Sequence, residues 1–179
     1  MSLIKRASNA RVLFEGLRVV GVEVTSGGER SVIHADRVVL ASGAISTPGI
    51  LLRSGIGPRA ELERLGVPTV ADVPGVAARL LDHPGVAMFY LPKPGVADVR
   101  DPLVQTHLRY SAEGSKRLND MQLQPGSLVV LPMGDLPAVS LMAAVGKPRG
   151  HGTLRFPTAL AHQKPIIELR ALSHPDDLE

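Results

Sequence analysis

The fold is decided by residues 38–58, VVLASGAISTPGILLRSGIGP, in which the sequence changes its period halfway. The first four residues form a short apolar run, which is typical of a strand buried on both faces in a parallel sheet. Thr47 and Pro48 then suit a helix N-cap and the first helical position, and residues 50–52 give that helix an apolar face. The stretch therefore predicts a buried strand, a tight turn at Ala41, Ser42 and Gly43, and a helix.

That turn has the position of a ligand-binding turn. Open α/β sheets bind ligands outside the carboxyl ends of their strands. Backbone N–H groups at a strand-to-helix turn can contact a ribose or phosphate, and glycine lets the ligand approach closely. Short turns of this kind are also frequent as purely structural connections. The turn by itself leaves both interpretations open.

Short strands flank the stretch on both sides. Residues 11–15, 18–24 and 29–34 are rich in β-branched and apolar residues and are separated by glycine turns, which predicts a three-stranded meander. A second short helix is predicted over residues 58–65. Pro-Gly punctuation then separates candidate strands at residues 86–91, 104–110, 127–131, 138–145, 152–156 and 166–169, before a helix that opens at 175. The fold class predicted is α+β or α/β, with short helices first and a largely antiparallel sheet after them.

Composition narrows the classes of function. The 179 residues are 44% hydrophobic, carry a net charge of +3 and contain five aromatic residues and no cysteine. Too few rings and no basic cluster argue against nucleic-acid binding. The six histidines lack metal-ligand spacing, so no metal site is predicted. Without an export signal or a membrane-length apolar run, we expect a cytoplasmic protein with no transmembrane segment.

The whole string from Gly43 to Pro58 resembles the second sequence signature of the glucose-methanol-choline (GMC) oxidoreductases. Gly-Ala stands at its start, Ser-Gly-Ile-Gly-Pro at its end, and Thr-Pro and paired Leu between them. The hairpin over residues 10–23 is similar to the one that precedes this signature in the family. Residues 81–84, Leu-Asp-His-Pro, resemble the family's Asp-His turn, although Ala77 and Arg79 stand where Gly and Asn are usual.

The resemblance implies an FAD-binding flavoprotein. It divides the chain into a partial FAD-binding domain, residues 1–85, and a partial substrate-binding domain, residues 86–179, whose sheet covers the flavin. The residues that the resemblance places at the cofactor are Asn9, beside the adenine through its backbone, the turn residues Ala41, Ser42 and Gly43, and the pair Asp82 and His83.

The family's reaction is alcohol oxidation, with hydride passing from the CH–OH carbon to flavin N5. The chain is thus interpreted as an internal fragment of a choline dehydrogenase-like enzyme with a small-molecule alcohol as substrate. Gly55-Ile56-Gly57 follows a helix and has Ala60 in the third position, so it is no dinucleotide-binding loop. The resemblance also places the catalytic histidine beyond residue 179, so no catalytic residue is predicted here, and FAD binding by this chain alone is expected to be weak or absent. A non-catalytic remnant, or a binding module that keeps the sheet, is the alternative; the alcohol, electron acceptor and oligomeric state stay open.

Overall fold

A computed structural model of the chain describes residues 9–98, 100–104, 106–129, 132, 134 and 136–178. Within these residues the chain forms two compact units, Met1–Leu80 with Gly152–Leu169 (unit 1) and Leu81–His151 with Arg170–Glu179 (unit 2). Unit 1 contains β1 (Asn9–Glu15), β2 (Arg18–Ser26), β3 (Glu29–His34), α1 (Gly43–Arg53), β4 (Ile56–Gly57), α2 (Arg59–Arg64), β5 (Ala71–Asp72), β10 (Thr153–Arg155) and β11 (Ile166–Glu168). Unit 2 contains β6 (Gly85–Tyr90), β7 (Leu108–Tyr110), β8 (Met121–Val129), β9 (Leu136–Val145) and a 3-10 helix (Pro175–Asp177).

The predicted fold class, short helices and antiparallel sheets in a mixed chain, is confirmed. Strands β1, β2 and β3 form the predicted antiparallel meander. Its turns use Gly16, Gly27 and Gly28 at positive φ, a conformation that costs glycine little. The predicted domain limits, 1–85 and 86–179, stay a prediction; the compact units divide the chain differently, because residues 152–169 belong to unit 1.

Two predictions around the decisive stretch are wrong. Residues 38–41 are not a buried strand: they carry no strand assignment, and the Val39 side chain is 89% exposed. A strand buried on both faces needs paired neighbours, and no described strand pairs with these residues. The helix α1 also begins at Gly43, so that Pro48 lies inside it and Thr47 is not its N-cap. The Thr47 hydroxyl instead accepts a hydrogen bond from the backbone N–H of Ser42, at 3.2 Å.

The core of unit 1 forms where α1 and α2 meet the later strands. Leu52 and Leu62 are fully buried and pack with Leu154 and Phe156. The guanidinium of Arg64 connects α2 to the segment after β10 by donating hydrogen bonds to the backbone oxygens of Phe156 and Pro157. Helix α2 matches the prediction for residues 58–65 to within a residue at each end.

Unit 2 is built on an antiparallel sheet with the strand order β6-β9-β8-β7, as predicted for the second half. Strand β8 begins at Met121, six residues before the prediction, and continues through Pro125. A proline fits there because β7 pairs only with residues 121–123, so that at Pro125 the β7 side of β8 is unpaired. The register then shifts between Gly126 and Leu128.

Candidate functional site

A cavity of about 360 Å³ opens beside α1 in unit 1. We call it the α1 cavity. It lies between the first turns of α1, the start of β1 and residues 156–165. Its walls are Ala10, Ile45, Gly49, Ile50, Phe156, Ala161 and Pro165, and its polar lining is Ser42, Ser46, Arg53 and Gln163. The cavity thus combines apolar and polar walls in about equal measure with one cationic group.

The helix terminus at this cavity has no side-chain cap. Ser42 occupies the N-cap position without making a capping hydrogen bond, and the first turn contains no acidic residue. Gly43 has φ +82°, and a Cβ built on it meets no atom within 4 Å. The first N–H groups of a helix have no partner within the helix and carry its positive dipole end. The turn therefore presents free donors to an anionic or hydroxyl-bearing ligand.

Arg53, in the last turn of the same helix, brings a positive charge to the cavity. Its Nε donates to the backbone oxygen of Ala10 at 3.4 Å, which holds the side chain against β1. Burial lowers the pKa of the Arg53 guanidinium from its ordinary value, because desolvation disfavours the charged form. An arginine nevertheless stays charged at neutral pH, so it can neutralise a bound phosphate.

Residues 54–57, the Ser-Gly-Ile-Gly part of the decisive stretch, do not line the α1 cavity and contribute to packing. Ser54 is buried, and its hydroxyl donates to the backbone oxygen of Ile50 at 2.7 Å. Gly55 has φ +81°, and an added Cβ would lie 2.5 Å from the Pro68 oxygen. A Cβ on Gly57 would lie 2.5 Å from Leu52 Cδ2. These residues let the chain after α1 turn back tightly against the core.

The residues that the resemblance places at the cofactor fall in both units. Ser42 lines the α1 cavity, and Ala41 and Gly43 stand next to Ser42 in the chain. Asn9 opens β1 opposite Thr25, and the next residue, Ala10, lines the cavity. Asp82 and His83 lie in unit 2, before β6, so the structure does not bring them together with the other four within one unit.

His83 has a partner that the sequence analysis missed. Its ring Nδ1 lies 3.0 Å from the amide Nε2 of Gln122 in β8, and its backbone N–H donates to the Asp82 carboxylate at 2.8 Å. Gln122 is only 7% exposed. The alternation Met-Gln-Leu-Gln at residues 121–124 would place Gln122 on a polar face, so its burial and its need for a hydrogen-bond partner come from the structure. Arg53 and Phe156 were also missed; their roles depend on contacts between distant parts of the chain.

A second cavity, also about 360 Å³, lies in unit 2 around the loop at residues 112–117. Arg149 pairs with Asp176 at 2.6 Å, and Lys147 donates to the backbone oxygen of Leu118. Asp120 accepts from Ser115, a bond that lowers the pKa of its carboxyl. Four basic and four acidic residues line this cavity, so its charge favours a ligand of neither sign.

Two further findings apply to the described part of the chain. It contains no group of three or more His, Cys, Asp or Glu side chains that could hold a metal ion. It also contains no helix long and apolar enough to cross a membrane.

Comparison with solved structures gives the class of fold. The structure is similar to pyridoxine 4-oxidase from Mesorbium loti, with a TM-score of 0.71 and 24% identity over 96% of this chain and 35% of that one. It is also similar to formate oxidase from Aspergillus oryzae RIB40, in a study of FAD modification, with a TM-score of 0.79 and 20% identity over 94% of this chain and 39% of that one. The chain thus has the fold of part of these oxidases.

Sequence comparison gives the family. Residues 1–85 match the model of the GMC oxidoreductase family. Over 84 residues the chain is 46% identical to the oxygen-dependent choline dehydrogenase of Burkholderia cenocepacia, which covers 46% of this chain and 15% of that enzyme. Over 86 residues it is 43% identical to the same kind of enzyme from Pseudomonas fluorescens. Residues 1–85 are therefore similar to the GMC oxidoreductase family, and the chain spans about 15% of the length of these relatives.

Proposed function

We propose that this chain is part of an FAD-dependent oxidoreductase that acts on the CH–OH group of a small-molecule alcohol, as in the choline dehydrogenases it resembles. We propose further that the α1 cavity holds the adenosine end of the cofactor. The observation that carries the proposal is the position of this cavity. It lies within the family-matched residues and their packing partners, at the turn formed by Ala41, Ser42 and Gly43.

The cavity's chemistry fits that group. Apolar walls that include the Phe156 ring suit a planar purine. The uncapped N-terminus of α1 and the Arg53 guanidinium suit the negative charge of a phosphate. Asn9 would contact the adenine through its backbone, since the following residue, Ala10, lines the same cavity.

The flavin, when bound, supplies the hydride acceptor for alcohol oxidation. This chain's residues would bind and orient it: Ser42 and Arg53 at the α1 cavity, and Asp82 and His83 near the flavin ring. We assign no catalytic residue within these 179 positions. A cytoplasmic location stays a prediction, and so does the identity of the alcohol.

The test is a titration of the 15N-labelled chain with AMP and with FAD, followed by amide chemical shifts. We expect both ligands to shift the amides of Ala10, Ser42 and residues 43–46. Affinity should be weaker than micromolar, because the chain contains no G-x-G-x-x-G loop to bind the pyrophosphate. A sub-micromolar dissociation constant would contradict that expectation.

A matched pair of variants locates the site. Ser46→Trp fills the α1 cavity and should abolish the shifts, whereas Ala44→Trp, exposed on the same helix outside the cavity lining, should keep them. Equal binding by both variants would refute the placement of the cofactor. No shift with either ligand at millimolar concentration would favour the alternative, a non-catalytic remnant or a binding module.

A further inference from the structure

The contact between His83 and Gln122 lies on a defined face of the sheet in unit 2. Gln122 pairs with Ala144 in β9, which in turn pairs with Gly85 in β6. Directly paired residues of an antiparallel sheet project to the same face. His83, two residues before Gly85, therefore reaches the Gln122 amide beside two small residues.

Gly85 and Ala144 must be small for β6 and β9 to lie this close together. A Cβ on Gly85 would lie 2.8 Å from the Ala144 Cβ and 2.9 Å from the Ala143 oxygen, so no larger residue fits without movement. Ala144 is 3% exposed. The backbone that leads from His83 into β6 thus lies close against β9.

Burial fixes the Gln122 amide as well. At 7% exposure its polar atoms are largely removed from water, and a buried amide group needs hydrogen-bond partners. The amide nitrogen faces His83, while the oxygen lies on the side of Gly146. A point at the Cβ position of Gly146 is 3.6 Å from Gln122 Oε1 and 3.8 Å from Arg109 Nη2. In this orientation the amide oxygen, an acceptor, is on the side of the Arg109 guanidinium, and the NH₂ group, a donor, faces the imidazole.

We propose that Gln122 is a positioning residue that holds His83 in the Nε2–H tautomer. An amide NH₂ only donates, so the Nδ1 atom it contacts at 3.0 Å must accept and carry no proton. The proton of the neutral ring is then on Nε2, and His83 itself is exposed enough for that N–H to meet a ligand.

Resting on the proposed function, this assignment gives His83 a specific part in it. In its neutral form the ring offers a hydrogen-bond donor at Nε2 to an acceptor group of the bound ligand. It offers no free lone pair there to take the hydroxyl proton of an alcohol. His83 is therefore a donor that orients the ligand, and Gln122 acts through it.

The experiment observes the tautomer directly and requires no FAD. The full chain is labelled with 15N-histidine, and two-bond 1H–15N correlations are recorded above neutral pH, with His83 identified by the loss of its signals in His83→Gln. The wild type should show His83 only as the Nε2–H form. Gln122→Leu, of similar size, should add the Nδ1–H form, whereas Gln124→Leu, two residues along the same strand face, should leave the spectrum unchanged.

Two results would overturn the proposal. One is an Nδ1–H form of His83 in the wild type, a measurement that does not depend on whether a variant folds. The other is a Gln122→Leu spectrum identical to that of the wild type. Failure of FAD to bind would refute the proposed function and leave this tautomer result intact, so the two failures are distinguishable.

Discussion

The backbone N–H of Val12 in β1 donates a 2.8 Å hydrogen bond to the hydroxyl of Ser54, immediately after α1. The same hydroxyl donates to the Ile50 oxygen, so one buried oxygen connects the meander to the helix that forms the α1 cavity. This relationship gives the serine of the family signature a structural role. It joins two elements that are 42 residues apart in sequence.

Replacing Ser54 by alanine should destabilise unit 1. The Val12 N–H would be left buried without a partner, which costs about 1–3 kcal/mol. The measurement is hydrogen exchange at the Val12 amide together with urea unfolding, with Ser31→Ala, exposed on β3, as the control. Unchanged protection of Val12 in Ser54→Ala would show that the bond contributes nothing.

A glycine can be required because its backbone has positive φ or because a side chain would collide with a neighbour, and Gly55 and Gly66 distinguish these two reasons. Both have positive φ, +81° and +68°, but only at Gly55 would an added Cβ collide, at 2.5 Å from the Pro68 oxygen. Gly66→Ala should cost only the left-handed backbone conformation, about 1 kcal/mol. Gly55→Ala should lower the free energy of unfolding by clearly more, because backbone atoms must also move. Equal losses in urea unfolding would mean that the collision is relieved without cost.

How much of this structure can be predicted from the sequence depends on how far apart in the sequence the contacting residues are. Local chemistry predicts the meander and α2 well, since glycine turns and residue periodicity lie within the segments themselves. The prediction of a strand at residues 38–41 was wrong because an apolar run forms a buried strand only where neighbouring strands pair with it and cover it. The helix start at Gly43 was missed because Thr47 contacts Ser42 instead of capping its own helix.

The candidate site shows the same division. Ser42 is found from the motif that contains it, while Arg53 and Phe156 reach the α1 cavity through contacts that no local pattern encodes. Gln122 lies before the strand predicted at residues 127–131, and its partner His83 is 39 positions away. A buried glutamine amide predicts that a partner exists, but only the sheet register identifies which one.

The ion pair of Glu61 and Arg64 should make the stability of unit 1 sensitive to acid. Hydrogen bonds from Arg64, at 2.9 and 2.5 Å, lower the pKa of the Glu61 carboxyl below its ordinary value. A carboxyl with a lower pKa in the folded state stabilises that state above its unfolded pKa and loses the contribution as pH falls through the folded value.

In Glu61→Gln the free energy of unfolding in urea should therefore fall less steeply as the pH is lowered below the ordinary pKa range of glutamate. The difference at neutral pH should be at most about 1 kcal/mol, since the pair is partly exposed. Glu63→Gln, exposed on the same helix, is the control. A steeper acid decline in Glu61→Gln than in the wild type would contradict the sign of this effect.

Self-association of the isolated chain should depend on β6 more than on residues 38–41. Every residue of β6 is exposed, and its apolar side chains include Val86 at 65% and Phe89 at 62% exposure. Its outer edge has no paired strand among the described residues, and an unpaired apolar edge is a template for another chain. Val39 is more exposed, at 89%, but belongs to no strand and offers no such edge. In sedimentation velocity, Phe89→Lys should reduce the associated fraction while Val39→Lys changes it little; the reverse order would locate the association at the turn before α1.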